Sequence, residues 1–446
     1  MHPVTVLLAL LVACSGRQSA ATLTCTGELS EQIQTVVNVS WQTPSSGTSS
    51  VVFDDGVVDP ITSPTTTVTN VKIPLLGMPE DTDVHWTATT ELDSGGSGSC
   101  SGVTHTGSLP GSVPKVSVTT NADGQDSAPY LMGVSYGGTS TQTQLMVYRR
   151  DGTPVWFFGD ADGTSGLDFH YAVEGGIWFN EFAGGMGGVD SSLKRVSFTG
   201  QVLESHDAPL MHHVFCELPD QTLSYDALDV RSYTNPDDGK TSDWAGDAIV
   251  EIDPTTGDGK TVFSVWDALV PTLNRRSGEY SIYPGDVDWT HGNSLTYTPE
   301  TNRYLLSLAH PDDILNVDRD TAQAVAMYGL DGIPATPAFD YQHDPNWLPS
   351  GNLLMFSSGT DGAGAVEYSV TDTALTKVWA SPVSTDPIAL GEARRLPNGD
   401  TFVNQGVGGK LVEYTPDGQV VWEMAGTDGS IFEQFTPVSD LYTGEP

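Results

Sequence analysis

Histidines recur at one place in a repeated sequence pattern, in which a strand-like run is followed by a Leu-Pro turn. His343 lies six residues before Pro349, and His213 lies six residues before Pro219. Four of the ten histidines stand at the entrance to such runs: His170, His213, His291 and His343. Neutral imidazoles gathered at one site can serve as nucleophile, acid or base near neutral pH. Taken singly, each is better explained as a hydrogen-bonded packing residue around a solvent-filled channel, but their shared repeat position favours a common site.

The composition is typical of an all-β protein. The 446 residues include 48 glycines and 28 prolines, and short runs rich in Val, Leu, Tyr and Trp lie between Gly, Asp, Pro and Asn turns. No long run has helical periodicity. The formal net charge of −39 makes nucleic acid an unfavourable partner. Such a charge favours solubility and does not indicate a particular fold.

Internal repeats begin after residue 115 and have a period of roughly 40 to 60 residues, typical of four-stranded propeller blades. One mark of the repeat is Val-Trp near the end of a strand, as in Val155-Trp156 and Val421-Trp422. We predict a six-bladed β-propeller over residues 115–446. The expected blades are 116–160, 167–208, 211–268, 289–337, 341–383 and 388–427, with a closing strand within 432–442.

A small β-sandwich domain of fibronectin-III or immunoglobulin type is predicted over residues 22–114. Several short alternating runs have the spacing of sandwich strands, and Trp41 is a natural core residue. Cys25 and Cys100 bracket this segment and are expected to form a disulfide bond in an oxidising compartment. Cys216 is then left over, and we interpret it as a small buried apolar residue.

Residues 1–21 are predicted to be a lipoprotein signal peptide and tether. Leu11-Val12-Ala13-Cys14 is similar to the bacterial lipobox, in which Cys14 would carry the lipid. The alternative is an ordinary secretory signal cleaved near Ala20-Ala21. The apolar run before Cys14 is too short to span a bilayer. We therefore expect an exported protein of the bacterial cell envelope, periplasmic or on the cell surface, that meets the membrane only through its N-terminal anchor.

No cofactor is expected, and no catalytic metal. Residues 160–163 and 235–239 look like fragments of calcium loops but lack the terminal bidentate carboxylate. We interpret them as acidic turns and leave structural calcium open.

Three stretches carry a family resemblance: Asp288-Trp289-Thr290-His291, Tyr341-Gln342-His343-Asp344 and Arg394-Arg395-Leu396-Pro397-Asn398-Gly399. They resemble the bacterial arylsulfotransferase family that does not use nucleotide-activated sulfate, from about residue 115 to the C-terminus. The resemblance implies an exported six-bladed propeller that passes a sulfuryl group from a phenolic sulfate ester to a phenol. His343 would be the nucleophile that becomes sulfated, and His291 and His213 would support it. His310, His170 and Arg394 would bind substrate.

One position departs from the family pattern. The family's Ser-Ser-Arg-His stretch corresponds to Ser307-Leu308-Ala309-His310, so the arginine expected to clamp sulfate is Ala309. Arg394, Arg395, Arg275 or Arg276 would have to take its place. The alternative function is a non-catalytic propeller lipoprotein that binds a ligand or protein partner. A quinone-dependent dehydrogenase is less well supported, because its blades would show a more regular tryptophan repeat.

Overall fold

A computed structural model describes residues 21–120, 128–137, 140–159, 166–182, 188–273, 287–358, 362–384 and 390–445. These residues form strands and turns, with two short 3-10 turns, Val265–Asp267 and Gly406–Gly408, and no α-helix. The predicted all-β class is therefore confirmed. Cys14, Arg275, Arg276 and the acidic turn 160–163 lie outside the described residues.

None of the helical segments in the described ranges is long and apolar enough to cross a membrane.

The chain divides into two compact units. The small unit consists of residues 21–29, Val37–Leu75 and Thr82–Thr106, and the large unit contains the rest. The large unit includes two segments from within the range expected for the N-terminal domain, Ser30–Val36 and Leu76–Asp81. The cause is apolar burial, because Val36 and Leu76 belong to a hydrophobic core of the large unit.

The small unit contains two sheets within its described residues. The five-stranded sheet has the order Ala21–Thr22, Ser97–His105, Asp83–Leu92, Gly47–Asp54 and Ile61–Thr62. The three-stranded sheet has the order Cys25–Leu29, Val37–Gln42 and Asn70–Leu75. Alternate residues face the core, as in the buried Val51 and Phe53. The indole of Trp41 in one sheet donates a hydrogen bond of 2.9 Å to Thr90 Oγ1 in the other.

A disulfide bond between Cys25 and Cys100 also joins the two sheets. It closes a loop with a sequence separation of 75. Replacing both cysteines with serine is expected to lower the free energy of unfolding of the small unit by about 4 kcal/mol, because the unfolded chain regains loop entropy. Urea-dependent hydrogen exchange of the strand amides of the small unit, read by mass spectrometry, measures this loss. An equal loss for Cys216→Ser would contradict the loop-entropy explanation.

Six mainly antiparallel sheets follow one another along the described part of the large unit, and we number them 1 to 6. Their strands, in chain order, have the following bounds. Sheet 1 contains Tyr130–Gly137, Ser140–Arg149, Pro154–Phe158 and Ser430–Val438, and sheet 2 contains Phe169–Tyr171, Ile177–Glu181, Ser192–Val196 and Val202–Asp207. Sheet 3 contains Met211–Glu217, Leu223–Thr234, Thr241–Ile252, Gly259–Ser264 and the parallel strand Val287–Asp288.

The remaining three sheets repeat this hairpin order. Sheet 4 contains Gly292–Thr298, Arg303–Leu308, Asp313–Asp318 and Gln323–Gly329. Sheet 5 contains the parallel strand Ala335–Thr336 and then Gln342–Trp347, Leu353–Ser357, Gly364–Val370 and Leu375–Ala380. Sheet 6 contains Val116–Thr120, Glu392–Arg395, Thr401–Asn404, Lys410–Tyr414 and Val420–Gly426.

The two ends of the large unit exchange strands between sheets 1 and 6. The C-terminal strand Ser430–Val438 pairs with Tyr130–Gly137 in sheet 1. The strand Val116–Thr120 pairs with Val420–Gly426 in sheet 6, whereas the sequence analysis assigned it to the first blade. That assignment was wrong because strand order along the chain does not determine which sheet edge an end strand joins.

Hydrogen bonds connect each sheet to the next. Asparagine amides donate to backbone carbonyls of the following sheet in four cases: Asn180 to His213, Asn293 to Gln342, Asn346 to Ala393 and Asn404 to Glu433. The Asp247 carboxylate accepts from the Gly292 N–H between sheets 3 and 4. Gln434 accepts from the Phe169 N–H between sheets 1 and 2. At least one side-chain hydrogen bond therefore ties each of the six sheets to the next.

Candidate active site

His213, His291 and His343 occupy equivalent places in three consecutive sheets. His213 lies in Met211–Glu217, the first antiparallel strand of sheet 3, and His343 lies in Gln342–Trp347, the first antiparallel strand of sheet 5; these are called first strands below. His291 immediately precedes the first strand of sheet 4. These first strands contact one another, and all three histidines are buried.

The backbone is irregular at each histidine. The pairing with the second strand shifts register within 211–215, 292–294 and 343–346. His213, His291 and Asp344 have positive φ values of 53°, 49° and 52°. A left-handed backbone costs a residue other than glycine on the order of 1 kcal/mol, and such strain is concentrated at functional sites. Irregular pairing of this kind changes the direction in which side chains leave the strand.

The histidine rings form a contiguous cluster. The centroids of His213 and His291 are 5.2 Å apart with an edge-to-face arrangement, and His291 stacks on His310 with a centroid separation of 4.6 Å. Burial lowers the pKa of both His343 and His213, and positive charge on His291 lowers each of them further. Protonation of His343 and His213 is therefore disfavoured.

His343 has available nitrogen atoms. Among the described residues, neither of its ring nitrogens has a well-aligned hydrogen bond. The pKa of His343 is lowered to about 4, mainly by burial; the Gly391 backbone partly opposes this effect, and charge on His291 and Arg394 adds to it. A neutral imidazole has one free lone pair, so His343 can act as a nucleophile at neutral pH.

The low pKa of His343 predicts an acid-labile fold. The pKa of His343 is ordinarily 6.5 and is about 4 in the folded protein. As the pH falls, the unfolded chain therefore binds a proton at His343 before the folded protein does. Stability from this residue is complete above pH 6.5 and is lost as the pH falls towards 4, by about 3 kcal/mol. Urea unfolding at pH 7 and pH 4.5 measures the loss. The loss of stability between pH 7 and pH 4.5 should be smaller in His343→Gln. An unchanged loss would contradict its assignment to His343.

Asp288 orients His291. The His291 Nδ1–H donates to Asp288 Oδ2 over 2.7 Å, and the His291 backbone N–H donates to Oδ1 over 3.0 Å. The carboxylate fixes the tautomer and stabilises the imidazolium, leaving Nε2 to transfer a proton. His310, predicted to bind substrate, lies beside this pair, with its Nδ1 2.7 Å from the Asp288 carbonyl. Burial, followed by charge on His291, lowers the pKa of His310.

His170, also predicted to bind substrate, has different surroundings. Its Nε2 is 2.7 Å from the carbonyl of Phe215 and 3.4 Å from Asp168 Oδ2. Burial opposes protonation, but the Asp168 carboxylate raises the pKa of His170 overall. Its ring lines a separate pocket with Cys216 and neighbouring side chains. Burial raises the pKa of the Cys216 thiol, which agrees with an apolar role for that cysteine.

The arginines expected to bind sulfate in place of residue 309 are paired with carboxylates where the structure describes them. The guanidinium of Arg394 lies close enough to lower the pKa of His343, yet it forms an ion pair with Asp344. Arg395 pairs with Glu367 over 2.7 Å. Ala309 is fully buried, and its N–H donates to the His291 carbonyl, so position 309 supplies only backbone to the site.

Residues that the sequence analysis did not assign complete the surroundings of the cluster. His212 is fully buried, and its Nδ1 lies 3.0 Å from His213 Nδ1. Its Nε2 lies 2.9 Å from Asp247 Oδ1 and 3.7 Å from Asp226 Oδ1. The adjacency of His212 and His213 was the only signal of this arrangement in the sequence, because the two aspartates lie on other strands.

Two groups of buried side chains have the geometry of a metal site within the described residues. They are Asp288, His291 and His310, and His212, Asp226 and Asp247. In the first group, both carboxylate oxygens of Asp288 already accept hydrogen bonds from His291.

Comparison with solved structures finds distant likenesses to this chain. A protein of unknown function from Bacteroides caccae is 16% identical over 70% of this chain and 100% of its own, with a TM-score of 0.46. A virginiamycin B lyase from Staphylococcus aureus is 13% identical over 78% of this chain and 93% of its own, with a TM-score of 0.37. At TM-scores below 0.5 these likenesses support no conclusion about this chain. No curated protein matches it.

A family model described as Arylsulfotransferase (ASST) matches residues 120–332, just under half of the chain. The matched range contains His213, His291 and His310, whereas His343 and Arg394 lie beyond its end. The resemblance to the arylsulfotransferase family is therefore confirmed over residues 120–332.

Proposed function

We propose that this protein transfers a sulfuryl group from a phenolic sulfate ester to a phenol through a sulfated His343. The observation that carries the proposal is the buried contact of His213 and His291, both within the range that matches the arylsulfotransferase model, next to a neutral His343 with an available nitrogen. Donor and acceptor are proposed from the family match alone.

The first half-reaction forms the sulfated histidine. A lone pair of neutral His343 attacks sulfur, an N–S bond forms, and the S–O bond to the aryl group breaks. The departing phenolate takes a proton from the imidazolium of His291, whose charge the Asp288 carboxylate stabilises. His213, the ring in contact with His291, is proposed to donate its N–H to a sulfuryl oxygen as negative charge accumulates there. His310 donates its Nδ1–H to the Asp288 carbonyl and so holds the other side of the His291 ring.

The second half-reaction reverses these roles. Neutral His291 takes the proton of the acceptor phenol, the phenol oxygen attacks sulfur, and the N–S bond breaks to restore His343. No other co-reactant is needed, because the sulfuryl group and one proton are only exchanged. We propose that a sulfate oxygen of the anionic donor competes with Asp344 for the guanidinium of Arg394.

We further propose the six-bladed propeller as the scaffold. The six successive sheets, the exchange of strands between sheets 1 and 6 and the hydrogen bonds from every sheet to the next support a closed ring. The small unit is proposed as a fibronectin-III-like sandwich on its two disulfide-linked sheets. Export and lipidation at Cys14 are proposed as well, and the disulfide bond supports an oxidising compartment.

The test is intact-protein mass spectrometry after brief exposure to 4-nitrophenyl sulfate. We expect release of nitrophenol and a mass gain of one sulfuryl group, mapped to His343 and lost when a phenol is added. Modification of another residue, or turnover without a covalent intermediate, would overturn the sulfohistidine mechanism.

A binding protein without catalysis is the second candidate. It is favoured by Ala309 and by the pairing of Arg394 with Asp344, which together leave the described site without a free guanidinium. Absence of both turnover and modification with every phenolic sulfate tested, combined with saturable binding of such a sulfate, would establish this function.

A further inference from the structure

Three buried side chains of sheet 3 form a group that the proposed reaction does not use: His212, Asp226 and Asp247. They come from three adjacent strands, Met211–Glu217, Leu223–Thr234 and Thr241–Ile252. All three side chains are completely buried. Because they stand on paired strands of one sheet, their relative positions are held by the ladder hydrogen bonds.

The group contains polar atoms that lack hydrogen bonds. Both carboxylate oxygens of Asp226 have no hydrogen-bond partner among the described residues. Nε2 of His212 and Oδ1 of Asp247 face each other at 2.9 Å without good hydrogen-bond alignment. A buried carboxylate without partners is costly, and an unsatisfied buried cluster of this kind is normally explained by a bound ion or water. Two carboxylates and a neutral imidazole would together balance the charge of a divalent cation.

We propose that His212, Asp226 and Asp247 bind one divalent transition-metal ion, with zinc the best fit. The proposal stands independently of the proposed sulfotransferase activity. An imidazole ligand favours zinc, manganese or iron over calcium and magnesium, which prefer oxygen ligands.

The distances agree with such a site. Zinc binds nitrogen and oxygen at about 2.0–2.1 Å, so the ligand atoms of a tetrahedral site lie about 3.3 Å apart. His212 Nε2 is 2.9 Å from Asp247 Oδ1 and 3.7 Å from Asp226 Oδ1, which brackets that separation. With Asp226 binding through both oxygens, the three side chains supply four ligand atoms.

Neighbouring groups already orient the ligands. The other oxygen of Asp247 accepts hydrogen bonds from Thr290 Oγ1 at 2.5 Å and from the Gly292 N–H at 2.7 Å, so Oδ1 is left for the metal. A Cβ at Gly292 would lie 2.1 Å from Asp226 Oδ2, so glycine is required there. Such outer contacts are typical of metal sites, where they fix the ligand geometry.

The site also adjoins the histidine cluster. A metal on His212 Nε2 leaves the proton of that ring on Nδ1, which then donates to His213 Nδ1 over 3.0 Å. Neutral His213 must then carry its own proton on Nε2. The metal would in this way determine the tautomer of His213 without touching substrate.

The test begins with elemental analysis of the full chain, purified without chelators. We expect about one zinc, manganese or iron ion per chain, retained in His206→Asn and lost in Asp226→Asn and His212→Asn. His206 is the matched control, since it is a histidine that pairs with a carboxylate, Glu204, outside the group. Anomalous diffraction from wild-type crystals at the metal edge should place one peak between the three ligands, which does not depend on whether a variant folds.

Addition of zinc to chelator-treated wild-type protein should raise Tm by several degrees, with no such rise in Asp226→Asn. Metal retained in Asp226→Asn, or an anomalous peak at Asp288 and His310, would overturn the assignment. So would wild-type protein that holds no metal and shows no change in Tm with zinc, manganese or iron, which would mean that the two aspartates share a proton instead.

Discussion

Replacing His343 with glutamine is expected to reduce sulfuryl transfer by on the order of 10⁴-fold and to abolish the covalent intermediate. Glutamine is polar and close in size to histidine, but it has no lone pair on nitrogen with which to attack sulfur. Steady-state release of 4-nitrophenol and single-turnover labelling with the sulfate ester measure the two losses. Because burial already keeps His343 neutral, with a pKa of about 4, the wild-type rate should need no deprotonation of this ring above about pH 5.

His206→Asn is the control for this experiment, because His206 lies in sheet 2 and contacts Glu204 and Trp178 instead of the cluster. It should keep the wild-type rate. A His343→Gln protein that folds normally and retains more than about a tenth of the rate would remove His343 from the mechanism.

Replacing Asp288 with asparagine is expected to lower kcat by about 10²- to 10³-fold with a smaller change in KM. The reason is that an asparagine side chain would keep the shape of the carboxylate but not its charge, and the His291 imidazolium would lose its stabilising partner. The loss should depend on the leaving group. Phenyl sulfate, whose phenolate needs protonation, should suffer more than 4-nitrophenyl sulfate, whose leaving group is already stable as an anion.

The comparison of the two esters distinguishes a loss of proton donation from a loss of the folded structure. A misfolded Asp288→Asn protein would lose activity on both esters by the same factor and would show a changed near-ultraviolet circular dichroism spectrum. Equal losses with an unchanged spectrum would mean that Asp288 only positions His291, and that the proton comes from another group.

Much of the fold could be predicted because the chain repeats itself. Equivalent sequence units form equivalent sheets, so the Leu-Pro turns after His213 and His343 predicted that both histidines stand on first strands. Strand Val116–Thr120 was assigned to the wrong sheet, since its short alternating pattern is satisfied by any free sheet edge.

The candidate site was predictable in part. His213, His291 and His310 belong to motifs that could be recognised, and the contacts among their rings agree with that recognition. The grouping of Asp226 and Asp247 with His212 was not visible, because acidic residues in strand-like runs are usually exposed and these two are brought to His212 by pairing across three strands.

The amino-acid sequence by itself determined the all-β class, the repeat and the place of the histidines within it, because these follow from local pattern and from equivalence between units. Only the tertiary structure decided which ring is left with an available nitrogen, which carboxylate orients His291 and which charges Arg394 meets. Those features depend on register shifts and left-handed residues at the strand entrances. They also depend on burial, which lowers the pKa of His343 by excluding water from its ring. Neither the register nor the burial can be read from a local sequence pattern.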